Sequence, residues 1–148
     1  MSNRRHRLGL TLIELLVVLA VAALIGVSVS FGTVRVLSQG YFTNTVDRIT
    51  RTLRTAQIYS ISGRDESSWG VHYGDSALIL FKGTNFATRD SSFDVSTPLP
   101  SSVSITGWSD ISFDRLRGTP ASTPTILIEV LGRAGAVSVG PEGAINRP

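Results

Sequence analysis

Residues 4–31 read Arg4-Arg5-His6-Arg7-Leu8-Gly9 followed by LTLIELLVVLAVAALIGVSVSF, an apolar run from Leu10 to Phe31. Glu14 is the only ionisable side chain in that run. A run of about 20 apolar residues can span a bilayer as a helix, and basic residues before it keep the N-terminus on the cytoplasmic side. A charged side chain at the centre of such a helix costs about 2.5–3.5 kcal/mol on insertion scales. The sequence therefore predicts a membrane segment whose one acidic residue has a function.

Three interpretations fit this pattern of charge and hydropathy. A secretory signal would be cleaved near Ser28-Val29-Ser30, where small residues alternate, and a plain anchor would keep its leader. In the third interpretation, cleavage between Gly9 and Leu10 leaves the apolar helix on the mature chain. The cut creates a free amine on Leu10, four residues before Glu14, and positions i and i+4 share a helix face. Only this interpretation gives the buried carboxylate a cationic partner, on the same chain or on a neighbour.

The octapeptide Gly9-Leu10-Thr11-Leu12-Ile13-Glu14-Leu15-Leu16 resembles the class III signal of type IV pilins and of type II secretion pseudopilins. That pattern has Gly before the cut, a hydrophobic first mature residue and Glu at the fifth mature position; Leu10 differs from the more usual Phe. The resemblance implies cleavage after Gly9 by a prepilin peptidase, N-methylation of Leu10, and assembly through Glu14. The partners it implies are other pilin or pseudopilin subunits, an inner-membrane assembly platform and the lipid bilayer.

Composition argues against several other classes. Without the leader, 14 − 3 = 11 basic side chains face 11 acidic ones, so the net charge of +3 belongs to the leader and is not a nucleic-acid signal. The chain has no cysteine for a disulfide or a thiolate metal site. His6 leaves with the leader, and His72 is predicted to be an exposed side chain on the polar face of a strand. With no zinc or nucleophile motif in addition, we predict no enzymatic activity, metal or cofactor.

The middle of the chain has a helical period. Val46, Ile49, Leu53 and Ala56 recur at spacings of three and four, which places them on one helical face. Ser62-Gly63 is a helix stop, because Gly suits the left-handed position after a helix. The pattern predicts a nearly continuous helix from about Leu10 to Ser62, apolar all round in its first half and amphipathic in its second.

From Ser67 onwards the period changes to two, and turn residues separate short β-rich segments. Loops are predicted over Thr84–Ser102 and Arg117–Thr125. The predicted fold class is α+β, with the long N-terminal helix packed on a C-terminal antiparallel β-sheet domain. The predicted organisation is a cleaved leader at 1–9, a transmembrane helix at 10–32, its amphipathic continuation at 33–63, and an extracytoplasmic β domain at 64–148.

Four segments of the second half resemble H-type minor pseudopilins (the GspH/FimT group) in spacing and in glycine and apolar positions. They are Pro98–Ile105, Ile111–Gly118, Thr125–Leu131 and Gly135–Gly140. The calcium-site loop that major pseudopilins normally carry has no counterpart here, because Asp110, Asp114, Glu129 and Glu142 are scattered. The resemblance implies a minor subunit of a type II secretion pseudopilus, which initiates the filament or lies at its tip near secreted cargo. It further implies a single-pass protein of the bacterial inner membrane with a periplasmic C-terminal domain.

DNA binding is the alternative function. Some H-type minor pilins capture DNA through basic residues near the C-terminus, and the resemblance makes Arg115, Arg117, Arg133 and Arg147 candidates for phosphate contacts. Acidic residues are interleaved with these arginines, and the tail after Gly143 contains one arginine. The alternative identity is a minor type IV pilin for DNA uptake, twitching or adhesion.

Overall fold

A long helix, α1 (Leu12–Ile61), is the main element of the fold in a computed structural model. The structure describes the backbone of residues 11–147 and the side chains of residues 11–25 and 38–147. The chain divides into two compact units, residues 1–37 and 38–148. The helix predicted over Leu10–Ser62 is close to α1 in extent. It stops because Gly63 adopts a left-handed conformation with φ 65° and ψ 26°, which glycine tolerates without a Cβ clash.

The predicted transmembrane helix covers residues 10–32. Within the residues that the structure describes, no helix is both long and apolar enough to cross a membrane. Leu10 and the side chains of residues 26–37 lie outside the described residues, so the predicted span stays a prediction. The described side chains of residues 11–25 are all exposed, so this part of α1 presents an apolar surface to its surroundings.

The second half of α1 forms one wall of the core of residues 38–147. Its predicted apolar face is confirmed, because Val46, Ile49, Leu53 and Ala56 are all buried in the main hydrophobic cluster. Arg51 and Arg54 are exposed. Burial of an aliphatic side chain contributes about 1.5–3 kcal/mol, so this stripe fixes which side of the helix meets the β-sheets.

The β-strands follow α1 in the chain. They are β1 (Trp69–Gly74), β2 (Ala77–Lys82), β3 (Asp90–Pro98), β4 (Val103–Thr106), β5 (Ile111–Phe113), β6 (Thr125–Val130), β7 (Arg133–Val139) and β8 (Ile145–Asn146). Within the described residues they form two four-stranded sheets, in the orders β3-β2-β1-β5 and β4-β6-β7-β8. Every pairing is antiparallel, as the sequence predicted.

Alternation along the strands sends one set of side chains into the core. In β6, Ile126, Ile128 and Val130 are buried whereas the residues between them are exposed. Trp69 of β1 is buried as well, and its Nε1 donates a hydrogen bond to the Arg64 carbonyl at 3.0 Å. The core therefore lies between α1 and the inner faces of both sheets.

The prediction of a loop over Thr84–Ser102 is wrong for Asp90–Pro98, because these residues form strand β3. The error arises because β3 is the edge strand of its sheet, so its sequence is polar and lacks a clear apolar alternation. Asp90 starts the strand, and its carboxylate accepts hydrogen bonds from the Ser92 hydroxyl at 2.6 Å and the Ser92 N–H at 3.1 Å. These bonds hold the pKa of Asp90 below its usual value.

Gln57 connects α1 to two distant turns. Its Nε2 donates to the Gly118 carbonyl at 3.2 Å and to the Gly143 carbonyl at 3.0 Å. Both glycines have positive φ, 70° and 79°, and a Cβ on Gly143 would overlap the Gln57 amide. One amide group therefore holds two turns against the helix.

We expect Gln57→Leu to lower the free energy of unfolding by about 1–3 kcal/mol, because two partly buried carbonyls lose their donor. Urea unfolding of the full chain in detergent measures the change. Thr52→Ala is the matched control, since the Thr52 hydroxyl donates to the Arg48 carbonyl of the same helix at 2.9 Å and connects α1 to no other described element by a hydrogen bond. An unchanged urea midpoint for Gln57→Leu would show that Gln57 has no such role.

Candidate functional site

Glu14 lies in the first turn of α1. Thr11 immediately precedes the helix, and its Oγ1 accepts a hydrogen bond from the Glu14 N–H at 3.3 Å. The Thr11 carbonyl accepts from the Leu15 N–H at 3.2 Å. Thr11 is therefore the N-cap residue and Glu14 occupies the third helical position, which is the sequence order of a capping box.

This capping arrangement was not predicted above, although the sequence Thr11-Leu12-Ile13-Glu14 has the T-x-x-E pattern of a capping box. A carboxylate in the first turn is also favoured by the helix dipole. Glu14 therefore has two physical roles to compare: it supports the start of α1, or it pairs with an N-terminal amine. The predicted cleavage residue Gly9 and the predicted methylation residue Leu10 lie outside the described residues, and both stay predictions.

The surroundings of Glu14 are apolar. Its neighbours Leu12, Ile13 and Leu15 are exposed, and among the described side chains, those of residues 11–25 and 38–147, no basic group forms an ion pair with it. A carboxylate on an apolar surface becomes costly once that surface is covered by lipid or protein, unless a cation covers it too. A partner that covers this surface is therefore favoured when it also brings a positive charge.

The arginines proposed as DNA contacts are not gathered into one patch. Arg147 donates from Nη1 to Asp47 Oδ1 of α1 at 2.7 Å. Arg115 precedes Leu116, whose N–H donates to the Ser60 carbonyl at 2.9 Å. Asp47 and Ser60 are thirteen residues apart on α1, which is about 20 Å along a helix. Arg117 and Arg133 are exposed, in the turn after β5 and at the start of β7.

His72 is more enclosed than the exposed histidine that was predicted. Its side chain is 26% exposed, its Nδ1 lies 2.6 Å from Asp110 Oδ1, and its ring stacks on Phe86 at 3.6 Å. These contacts could not be predicted from the sequence, because Asp110 lies in a loop 38 residues after His72 and Phe86 begins a short 3₁₀ helix beyond the next strand. Among the described residues, no group of three or more His, Cys, Asp or Glu side chains is placed to hold a metal ion. The absence of enzymatic activity stays a prediction.

Comparison with known proteins identifies the N-terminal segment. Residues 4–30 match the family model described as the prokaryotic N-terminal methylation motif. The matched range includes Gly9, Leu10 and Glu14. No curated protein and no solved structure matches the chain.

The motif is a type IV pilin-like signal, and it supports a type IV pilin-like protein. It suggests processing by a prepilin peptidase and assembly with other pilin subunits, and it is typical of membrane-anchored pilins. The α+β architecture, with a long helix and antiparallel sheets, is consistent with a pilin fold.

Proposed function

We propose that this chain is a minor pilin-like structural subunit of a type II secretion pseudopilus. The observation that carries the proposal is the methylation motif over residues 4–30, with Glu14 in the first turn of a helix whose described apolar side chains up to Ile25 are exposed. In this function a prepilin peptidase cuts after Gly9, Leu10 is N-methylated, and the helix holds the subunit in the inner membrane until assembly.

Assembly uses the charge of Glu14. In lipid the carboxylate lacks a fixed cation, and in a filament it pairs with the Leu10 amine of an adjacent subunit. Glu14 favours assembly only by the difference in the free energy of its carboxylate between lipid and filament. A charge that is equally well paired in both states would contribute nothing. The exposed apolar surface of residues 11–25 packs against neighbouring helices in the same step.

The role of a minor subunit rests on the resemblance of the segments after Pro98 to H-type pseudopilins. Such a subunit initiates the filament or lies at its tip, where the β-sheet unit faces secreted cargo. Deletion of the gene, with complementation, tests this role. We propose that secretion of exported proteins falls while twitching and transformation stay normal. Normal secretion with impaired twitching or transformation would assign the chain to a type IV pilus instead.

DNA uptake is favoured by one observation. Among the described residues, Arg115, Arg117 and Arg133 are exposed and form no ion pair, so they are available to phosphates. Against it, Arg147 is already bound to Asp47, and the mature side-chain charges balance.

We therefore expect the full chain in detergent to leave a labelled DNA duplex unshifted at about 50 mM salt, where phosphate contacts are strongest. The measurement is a gel-shift titration, with Arg115→Gln/Arg117→Gln as the paired variant. A shift that weakens with salt and disappears in that variant would establish DNA binding and favour the type IV pilin alternative.

A further inference from the structure

Three large apolar side chains are exposed together at the C-terminal end of α1. Leu116 is 66% exposed, Ile58 61% and Ile61 48%. The turn that carries Leu116 lies against the helix, because the Leu116 N–H donates to the Ser60 carbonyl at 2.9 Å. A Cβ on Gly118, two residues further on, would overlap the Ile61 side chain. We call Ile58, Ile61 and Leu116 the Leu116 patch.

Leu116 is held in an unfavourable backbone conformation. Its φ is 69°, in the left-handed region that bulky residues rarely adopt. Hydrogen bonds from the Gly118 N–H to the Asp114 carbonyl and from the Asp114 N–H to the Thr119 carbonyl, both 2.8 Å, fix the turn. Leu116 Cδ2 lies over Gly63, 3.3 Å from where a Cβ on that glycine would stand, and the side chain stays 66% exposed. Strained residues of this kind cluster at functional sites.

The charge around the patch has one dominant sign. Arg115 and Arg117 flank Leu116, and Arg54 lies one helical turn before Ile58; all three are exposed. Within residues 11–147 none of these arginines forms an ion pair with a carboxylate. The carboxylates nearest in sequence are Asp114, in the same turn as Leu116, and Asp65 and Glu66, which follow Ile61. Asp65 pairs with Arg64 at 3.5 Å, so the exposed arginines still outnumber the carboxylates that remain. The patch thus combines an apolar centre with a basic rim.

We propose that the Leu116 patch docks a partner protein that presents an apolar pocket bordered by carboxylates. Leu116 enters the pocket, and Arg115 and Arg117 contact the carboxylates. An apolar centre with charged residues at the rim is the usual anatomy of a protein interface, and exposed contiguous apolar surface marks such sites. A nucleic acid would use the two arginines through its phosphates but would leave the three apolar side chains without a partner.

Leu116→Asn separates binding from folding. Asparagine adopts left-handed backbone conformations more readily than leucine, so the melting temperature of the full chain in detergent should rise, by roughly 4 °C for each kcal/mol of strain relieved. The matched control is Leu131→Asn, because Leu131 is also exposed (54%) and has φ 49° in the turn between β6 and β7. Both variants should gain stability, whereas only Leu116→Asn should lose the partner.

Loss of the partner is measured by photo-crosslinking in the cells that produce the protein. A photoreactive amino acid replaces Ser62, which is exposed and adjacent to Ile61. We expect one protein adduct, reduced about tenfold or more by Leu116→Asn and by Arg115→Glu/Arg117→Glu, and unchanged by Leu131→Asn. Peptide mapping should place the crosslink beside aspartates or glutamates of the partner.

Three results would overturn the proposal: an adduct that persists in Leu116→Asn, an equal loss in Leu131→Asn, or no protein adduct at all. A nucleic-acid adduct that depends on Arg115 and Arg117 would also overturn it and favour DNA. A melting temperature of Leu116→Asn below that of the wild type would show that Leu116 serves the fold.

Discussion

Glu14→Gln should lower incorporation of the subunit into filaments about 100-fold, while cleavage and the folded unit of residues 38–147 stay unchanged. The magnitude follows from the cost of an unpaired charge in hydrocarbon, about 2.5–3.5 kcal/mol, because each 1.4 kcal/mol corresponds to about a factor of ten. The wild-type carboxylate is unpaired in lipid and paired with the neighbouring amine in the filament. Glutamine carries no charge in either state, so the variant lacks this contribution to the free energy of assembly. Quantitative immunoblots of sheared filaments and of membranes measure the distribution.

Glutamine is chosen because it distinguishes the two roles of Glu14. Gln serves at the third position of a capping box as Glu does, so Glu14→Gln keeps the start of α1 and removes only the charge. Thr11→Ala is the matched control: it removes the hydroxyl that accepts from the Glu14 N–H and should cost about 1 kcal/mol of helix stability. Normal incorporation of Glu14→Gln together with failure of Thr11→Ala would show that Glu14 acts through the cap.

Gly9→Val should block maturation almost completely. The peptidase implied by the motif cuts after Gly9, where glycine has no side chain, and a branched side chain at that position would obstruct the cleavage site. We expect the variant to remain at precursor mass and to be absent from filaments, as judged by gel mobility and intact mass. Leu8→Val is the matched control one residue earlier and should be processed. A mature-size product from Gly9→Val would contradict cleavage at this bond.

Much of the fold could be predicted because its signals are local and periodic. The apolar face of α1 is evident from helical spacing in the sequence, and the burial of Val46, Ile49, Leu53 and Ala56 confirms that prediction. Strand β3 could not be predicted because an edge strand needs few apolar residues. The role of Gln57 could not be predicted either, since its two acceptors lie 61 and 86 residues away in the chain.

The two candidate sites also differ in how far the sequence alone could predict them. The signal around Gly9, Leu10 and Glu14 is linear, so the sequence alone identifies it, and the family comparison matches the same segment. The Leu116 patch arises only when the turn after β5 folds against the end of α1 through the Ser60 carbonyl. Arg115 and Arg117 were predicted as DNA contacts from the resemblance alone, because the sequence does not show that their turn lies against the helix end that carries Ile58 and Ile61.

The N-terminus of the mature chain tests the central claim most directly. Mass spectrometry of the protein purified from the filament fraction should show a chain that begins at Leu10 and carries a methyl group on its α-amine. A chain that begins at Met1, or near Phe31 after an ordinary secretory cut, would contradict the pairing of Glu14 with a new amine and the filament function built on it.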